Sequence, residues 1–303
     1  MRVWVSGARG FVGSWLLPRL ARDGHEVAGV DREVDVRDAG AVEASLARAG
    51  PDAVVHLAAL TSVARSIAEP EDAARVNYLG TLHVLRAVAQ RAPAARVLLV
   101  TSGEIYGAHA PERSDPACAP PAFDESAPLR PASPYARSKA AADALGAACG
   151  LDVVRARPFN HTGPGQTDAF VASAFARQIA EIEAGRRAPE LQVGNLDAVR
   201  DFLDVADVAD AYVRLLDAAV PRGPYNVASG VGVPVRRILE LLLARSRERP
   251  AVRVDAARWR PTDASVGNAG RLRRATGWQP RCPLADTLER LLAHWRAQLS
   301  ASP

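Results

Sequence analysis

The chain has 303 residues, of which 48% are hydrophobic and 24% are charged, with a formal net charge of +4. This composition is that of an ordinary globular protein with a large core. The charge is mild, and the arginines are dispersed and not interleaved with aromatic residues. We therefore expect no nucleic-acid surface, whereas an anionic small substrate fits.

The sequence shows no sign of a membrane span, and no run of apolar residues approaches the roughly 18 that a spanning helix needs. The three cysteines, Cys118, Cys149 and Cys282, are scattered and lack the spacing of metal ligands. We expect neither a disulfide framework nor a zinc site, and a reducing cytoplasmic location. Because a strand pattern begins at Arg2, we expect no signal peptide.

Short apolar runs alternate with amphipathic stretches through the first half of the chain. The predicted strands are Val3–Ser6, Glu26–Asp31, Ala53–Leu57, Arg96–Thr101 and Leu151–Arg155. The predicted helices are Gly10–Asp23, Ala39–Ala49, Ala73–Arg91 and Pro134–Cys149. This alternation, with nearly all-apolar strands, predicts an α/β fold with a doubly wound parallel sheet covered on both faces.

The pattern loosens after Pro158. Helices are predicted at Phe170–Ala184 and Val235–Arg245, and short strands near Leu191–Val193 and Tyr225–Val227. This favours a smaller C-terminal lobe, partly interleaved with the first domain. We predict a larger domain of residues 1–160 with a return segment at about 196–220, and a smaller lobe of residues 161–195 and 221–303.

Three glycines, Gly7, Gly10 and Gly13, follow the first predicted strand and open the first helix. Glycines in this place let the backbone approach a pyrophosphate, whose charge then lies at the helix N-terminus. The pattern predicts a Rossmann-type nucleotide site, with Phe11 and Val12 in the same turn. A tight turn without a ligand is the alternative.

The end of the second strand carries opposite signals for the choice of cofactor. Asp31 is placed to accept a hydrogen bond from a ribose 2′-hydroxyl, which favours NADH, whereas Arg32 could pair with the 2′-phosphate of NADPH. Both cofactors therefore remain open. Asp35 and Val36 come next, and they have two interpretations: they contact the adenine end of the cofactor, or they form a polar loop with an apolar plug.

The chain contains 37 arginines and a single lysine, Lys139, four residues after Tyr135. On a helix the two side chains share a face. We expect the compact ammonium to stabilise the phenolate and lower the pKa of Tyr135, which would allow proton transfer near neutral pH. The alternative is an incidental pair on a helix surface.

Together with the segment His56–Ala59, these motifs resemble the extended short-chain dehydrogenase/reductase family, which modifies nucleotide-diphosphate sugars. Two longer segments, Arg157–Gln166 and Val193–Phe202, are similar to its GDP-mannose branch, which contains 4,6-dehydratases and 4-keto reductases. The Gly-Pro-Gly-Gln ending at Gln166 favours the reductases.

The resemblance implies roles for individual residues. It places Ser102, Tyr135 and Lys139 in catalysis, and Glu104 where the dehydratases have the group that moves the C5 proton. With the glycine turn included, the predicted cofactor-binding residues are Gly7, Gly10, Phe11, Val12, Gly13, Asp31, Arg32, Asp35, Val36, Leu57, Ala58, Ala59, Tyr135, Lys139 and His161. The predicted substrate-binding residues are Ser102, Asn160, Val171, Arg200, Arg260 and Asp263.

The resemblance also implies an activity: NADPH- or NADH-dependent reduction of the C4 ketone of GDP-4-keto-6-deoxy-D-mannose to GDP-D-rhamnose. The alternatives are a GDP-mannose 4,6-dehydratase, an epimerase or a reductase acting on another nucleotide sugar, and a non-catalytic nucleotide sensor. By analogy with the family we expect a homodimer, in which Ala73–Arg91 and Pro134–Cys149 of each subunit form a four-helix interface. A monomer is the alternative.

Four aspartates, Asp201, Asp204, Asp207 and Asp210, recur at every third residue. A metal cluster is one interpretation. We favour a solvated helix start, because aspartate near a helix N-terminus is stabilised by the helix dipole, and we predict no metal site.

Overall fold

A computed structural model describes residues 1–109, 121–256, 259 and 263–301. The strands of this part of the chain are β1 (Arg2–Ser6), β2 (Glu26–Val30), β3 (Ala53–His56), β4 (Arg96–Val100), β5 (Val153–Pro158), β6 (Asn160–Thr162), β7 (Glu190–Val193), β8 (Val199–Asp204), β9 (Gly223–Val227), β10 (Gly232–Pro234), β11 (Ala251–Val254) and β12 (Ala264–Ser265).

The α-helices in the same ranges are α1 (Phe11–Arg22), α2 (Ala39–Ala49), α3 (Val63–Ala68), α4 (Pro70–Ala74), α5 (Gly80–Arg91), α6 (Pro134–Ala148), α7 (Val171–Glu183), α8 (Val205–Leu215), α9 (Val235–Leu243), α10 (Gly270–Thr276) and α11 (Leu284–Ala301). A π-helical turn, Arg75–Leu79, joins α4 to α5, and a 3₁₀ turn, Gly103–Tyr106, follows β4. No helix among the described residues is long and apolar enough to cross a bilayer.

The central sheet has six parallel strands in the order β2-β1-β3-β4-β5-β9. Alternate side chains enter opposite layers, as the pleat requires: Val3 and Val5 face the core beneath α1 and α8, while Trp4 faces the core beneath α2 and α5. Both faces are therefore covered, and the predicted doubly wound, Rossmann-type fold is confirmed.

A second core lies between α7, α9 and α11 and the inner faces of β7 and β8. It is built on short strands: β8 lies between β10 and β12 and also pairs with β6, and β11 pairs with β7. This smaller lobe follows directly from β5, so its first strand begins at the carboxyl edge of the large sheet, where parallel α/β folds bind ligands.

The lobes interleave more than the sequence analysis predicts. It assigns residues 221–303 to the smaller lobe, but β9 pairs with β5 and completes the large sheet. The return segment of residues 196–220 is divided: β8 belongs to the small sheet, whereas α8 packs on α1. β9 and α8 belong to the large lobe because, without them, β5 would be an unpaired sheet edge and α1 would lack a packing partner over the core.

The predicted solvated helix start at the aspartate series is wrong for three of its four members. Asp201, Asp204 and Asp207 are at most 5% exposed. Asp204 does cap α8, accepting from the Ala206 N–H at 2.7 Å. The carboxylates of Asp201 and Asp207 accept hydrogen bonds from backbone N–H groups of loops distant in sequence. They therefore fix the positions of these loops. No cluster of potential metal ligands occurs among the described residues, which do not include Cys118.

Candidate active site

The turn between β1 and α1 has room only for glycine at two positions. A Cβ at Gly13 would lie 2.4 Å from the carbonyl oxygens of Gly7 and Ala8, and one at Gly7 would lie 2.8 Å from the Ala58 nitrogen. Gly7 also has a φ of +70°, in the region that favours glycine. The turn therefore lies directly against the segment after β3.

The N-terminus of α1 is open to a ligand. Its N-cap, Gly10, provides no side-chain cap, and the first turn carries no acidic residue. The free N–H groups and the positive end of the helix dipole suit a pyrophosphate. Phe11 of this turn stacks on His161, with ring centroids 6.0 Å apart and planes 4° apart. Burial lowers the pKa of His161, so this ring is neutral at physiological pH.

The loop after β2 is folded back on the glycine turn. The Asp31 carboxylate accepts the backbone N–H groups of Arg9 at 2.9 Å and Arg32 at 3.0 Å. Asp35 pairs with Arg37, which lowers the pKa of the Asp35 carboxyl group. Val36 is only 5% exposed and belongs to the core beneath α2 and α5, as an apolar plug would.

Hydrogen bonds to Ser6 and Asn77 fix the position of the segment Leu57–Ala59 and the residue after it, and this segment is predicted to line the cofactor. Ala58 donates its N–H to the Ser6 hydroxyl, which lies 2.7 Å from Nδ1 of His56. Asn77, in the π turn, accepts the Leu60 N–H at 2.8 Å and donates to the Leu60 carbonyl oxygen at 3.0 Å.

Asn77 also contacts α6, because its amide donates to the Ser138 hydroxyl at 2.9 Å. It therefore joins the loop after β3 to α6. Sequence reasoning missed this role. The available signal was an amide residue inside a strongly helical stretch, where asparagine is a poor helix former.

Ser102, Tyr135 and Lys139 converge at the carboxyl end of β4. Ser102 caps the 3₁₀ turn, accepting the Glu104 N–H at 3.1 Å, and its hydroxyl is close enough to the Tyr135 phenol to act on the phenol pKa. Tyr135 and Lys139 lie on α6, which begins at Pro134 with Ser133 as its cap. All three side chains are at most 8% exposed, so they form one buried group.

Burial has the largest effect on the pKa values of Tyr135 and Lys139. It raises the pKa of Tyr135 to about 12; the Ser102 hydroxyl opposes the shift, and the Glu104 charge adds to it. Burial lowers the pKa of Lys139 to about 8. The expectation that Lys139 lowers the Tyr135 pKa is wrong for this structure, because the ammonium donates to the Val100 carbonyl oxygen at 2.9 Å.

A charged cluster faces the catalytic group from the smaller lobe. Arg200 of β8 pairs with Asp263, with 2.6 Å between Nη2 and Oδ1. Burial raises the pKa of the half-buried Glu104; the positive charge of Arg200 opposes this shift and the negative charge of Asp263 reinforces it. Glu104, Arg200 and Asp263 are thus brought together, while the predicted Arg260 lies outside the described residues.

The remaining predicted substrate residues lie where the two lobes meet. Asn160 begins β6, which pairs with the strand of Arg200, and Val171 begins α7; both are half-buried. His161, next to Asn160, contacts the Phe159 carbonyl oxygen through Nδ1 at 3.0 Å. His161 therefore lies against the glycine turn, whereas Asn160 and Val171 begin elements of the smaller lobe.

A buried ionic group beneath the site was also missed by sequence reasoning. Asp143 of α6 is 2% exposed and pairs with Arg155 at 2.6 Å and with Arg157 at 2.8 Å. Arg157 donates in turn to the Tyr106 hydroxyl at 2.8 Å. These bonds fix α6 to β5, and the sequence offered only an aspartate in an alanine-rich helix as a signal.

Comparison with known proteins decides the family. The model of the NAD dependent epimerase/dehydratase family matches residues 3–228, which is most of the chain. The chain belongs to this family. The predicted membership of the extended short-chain dehydrogenase/reductases, and the prediction of an NAD(P)-dependent enzyme, are confirmed.

This epimerase/dehydratase family member has full-length relatives. The GDP-6-deoxy-D-mannose reductase of Pseudomonas aeruginosa is 37% identical over 98% of both chains. A structure of RMD from Pseudomonas aeruginosa complexed with NADPH has a TM-score of 0.86 at 35% identity, covering 98% of this chain and 99% of that one. The UDP-glucose 4-epimerase of Thermus thermophilus in complex with NAD has a TM-score of 0.84 at 31% identity, with coverages of 98% and 99%.

The residues of this family member fit a nicotinamide dinucleotide. Gly7 and Gly13 leave a turn that any Cβ would fill, the N-terminus of α1 is uncapped, and Asp31 lies at the end of β2 beside that turn. The turn and helix would hold the pyrophosphate and Asp31 the adenosine ribose.

Proposed function

We propose that the protein reduces the C4 ketone of GDP-4-keto-6-deoxy-D-mannose to GDP-D-rhamnose with NADPH or NADH. The observation that carries the proposal is the joint burial of Ser102, Tyr135 and Lys139, with the Ser102 hydroxyl close enough to the Tyr135 phenol to act on its pKa. The likeness to the GDP-6-deoxy-D-mannose reductase over 98% of both chains supports this substrate.

Each member of the catalytic group has a task in this reduction. The reduced dinucleotide, when bound, supplies a hydride for C4. Tyr135 donates a proton to the C4 oxygen, and its raised pKa keeps the phenol protonated at neutral pH, as a proton donor must be. Ser102 shares the hydrogen bond to that oxygen, and Lys139 holds the nicotinamide ribose.

The substrate would lie across the lobe junction. Arg200 supplies a guanidinium fork suited to diphosphate oxygens, and Asn160 and Val171 border the sugar. In this structure the Arg200 guanidinium is paired with the Asp263 carboxylate. We expect the substrate diphosphate to displace that carboxylate from Arg200. The Asp263 carboxylate would then be free to accept a hydrogen bond from a nucleotide ribose hydroxyl, while the Arg260 guanidinium would donate to the diphosphate or the ribose.

Glu104 supports a second candidate, a GDP-mannose 4,6-dehydratase. Its carboxyl group is half-buried close enough to Tyr135 to raise the phenol pKa, and its own pKa is raised by burial. A carboxylate with a raised pKa next to the catalytic tyrosine could exchange a proton with a sugar carbon.

The two candidates differ in their first substrate. The 4-keto sugar is prepared with a separate dehydratase, which is removed by filtration, and the protein is then added with NADH or NADPH. We expect oxidation of the reduced cofactor and GDP-D-rhamnose identified by NMR. Formation of a 4-keto sugar from GDP-mannose without added cofactor would instead establish the dehydratase.

We also propose a homodimer formed through the helical surface of α3 to α6. Ile67 of α3 and Leu79 of the π turn are 58% and 39% exposed, and a second copy packed on this surface would cover them. Light scattering after size exclusion measures the mass directly. A monomer with unchanged activity would contradict the dimer and leave the proposed reaction intact.

A further inference from the structure

The rim of the nucleotide site carries an ion pair that sequence reasoning did not consider. Arg9, in the glycine turn, pairs its guanidinium with the carboxylate of Glu33, in the loop after β2. The side chains are 67% and 48% exposed, so both face solvent at the mouth of the cleft. The other oxygen of Glu33 accepts the Asp31 N–H at 2.9 Å, which fixes Glu33 against the loop.

This pair lies where a dinucleotide differs between its two common forms. In Rossmann-type sites the acid that ends the second strand binds the adenosine ribose at its 2′ oxygen, and a nearby arginine accommodates a 2′-phosphate. Asp31 ends that strand, and the backbone N–H of Arg9 contacts its carboxylate at 2.9 Å. The Arg9 guanidinium is therefore within side-chain reach of a 2′-phosphate. In this structure the guanidinium is paired with the Glu33 carboxylate instead.

We propose that Glu33 sets the cofactor preference of this enzyme by competing with the 2′-phosphate of NADPH for Arg9. When NADPH binds, Arg9 exchanges the Glu33 carboxylate for the phosphate. When NADH binds, the Arg9–Glu33 pair stays intact and Asp31 contacts the ribose hydroxyls. Glu33 thus selects against NADPH while both cofactors remain usable.

Two features make this exchange possible. An exposed ion pair contributes little net stability, because water screens it and two long side chains must be ordered. A phosphate dianion offers more charge and several acceptor oxygens to the guanidinium fork. Arg32 is exposed beside Asp31 with its backbone N–H fixed to that carboxylate, so a second cation borders the same place.

Equilibrium binding without any sugar tests this inference separately from the proposed reaction. Dissociation constants of NADPH, NADH, 2′,5′-ADP and 5′-AMP are measured by calorimetry for the wild type, Glu33→Gln, Arg9→Gln and the double variant. The amide that replaces the Glu33 carboxylate keeps an acceptor for the Asp31 N–H and removes only the charge. Glu43→Gln is the matched control, since Glu43 of α2 forms an exposed pair with Arg91 of α5, outside the predicted cofactor site.

We expect Glu33→Gln to tighten the binding of NADPH and 2′,5′-ADP by about twofold to fivefold, the scale of one exposed charge pair, and to change the binding of NADH and 5′-AMP less than twofold. In the Arg9→Gln background the same substitution should have no effect on NADPH. The inference is overturned if Glu33→Gln leaves NADPH binding unchanged, if it changes NADH equally, or if its effect persists without Arg9.

Discussion

The phenol of Tyr135 is protonated at neutral pH because it is buried, while Lys139 holds its proton less firmly than an exposed lysine for the same reason. Both shifts come from the loss of water around the charged forms. The Lys139 ammonium donates to the Val100 carbonyl oxygen. One helix therefore carries a protonated phenol and, four residues later, an ammonium whose pKa is lowered by burial.

Replacing Tyr135 with Phe should remove the proton donor and leave the fold intact. We expect kcat to fall by about 10² to 10⁴, the range that general acid catalysis supplies, with cofactor dissociation constants changed less than threefold. Steady-state kinetics and calorimetry measure the two quantities. Tyr225→Phe is the control, because that phenol donates to the Pro221 carbonyl oxygen, outside the predicted site, and its loss should not affect turnover. Full activity of Tyr135→Phe would disprove the assigned role.

The single lysine allows its titration to be measured through stability. Its pKa is lowered from 10.5 to about 8 in the folded protein, so between those values the unfolded chain binds more protons. The free energy of unfolding should therefore rise with pH above 8, by up to about 1.4 kcal/mol per pH unit from this group. Urea unfolding from pH 8 to about 10 should show a smaller slope for Lys139→Met. Equal slopes would mean that Lys139 titrates normally.

The sequence could indicate which residues to consider as a site, and these assignments stay predictions, but it could not indicate their protonation and pairing. The glycine spacing and the Tyr135–Lys139 interval are local patterns that directly reflect backbone geometry. The Arg200–Asp263 pair and the Asn77 bridge join residues 63 and 61 positions apart along the chain. No local pattern indicates such contacts, because they depend on how the lobes pack.

At the scale of elements, α6 carries Tyr135 and Lys139, the proposed catalytic pair, and is fixed to β5 by Asp143. Most of the elements in the first half could be predicted from hydrophobic periodicity, because β1, β3, β4 and β5 are almost entirely buried. The short strands β6, β8, β10 and β12 could not, since they are two to six residues long and pair with partners distant in sequence. Their formation depends on tertiary contacts more than on a local pattern.

Asp143→Ala should destabilise the protein strongly. Removing the buried carboxylate leaves Arg155 and Arg157 without their counter-charge, and breaking a buried pair in this way costs about 3–5 kcal/mol. Urea unfolding measures the change. Asp197→Ala is the control, because its pair with Arg236 is exposed on both sides and should contribute less than about 1 kcal/mol. Similar losses in the two variants would contradict this account.

At the scale of the whole molecule, the chain passes between the two lobes several times. After β5 it enters the small sheet, returns to the large core with α8 and β9, and leaves again at β10. Trp278, buried in the large core, lies just before α11 of the small one. Each lobe is thus built from several separate segments of the chain, so the two lobes are not independent domains.

A chain of residues 1–160 alone should therefore not form a native domain. It would lack α8, which covers α1, and β9, which completes the sheet, so a large apolar surface would remain exposed. We expect near-ultraviolet circular dichroism to be lost and a hydrophobic dye to bind, with helical signal partly retained. A cooperative unfolding transition of this fragment would show that the first lobe folds by itself.

Lys139 is the only side-chain primary amine in the sequence, and it is 5% exposed. Acylating reagents and ubiquitin-transferring enzymes modify such amines, so they find no lysine target on the outer surface of the folded protein. Amine-directed labelling would consequently reach no exposed side chain, and modification of Lys139 would report access to a buried position.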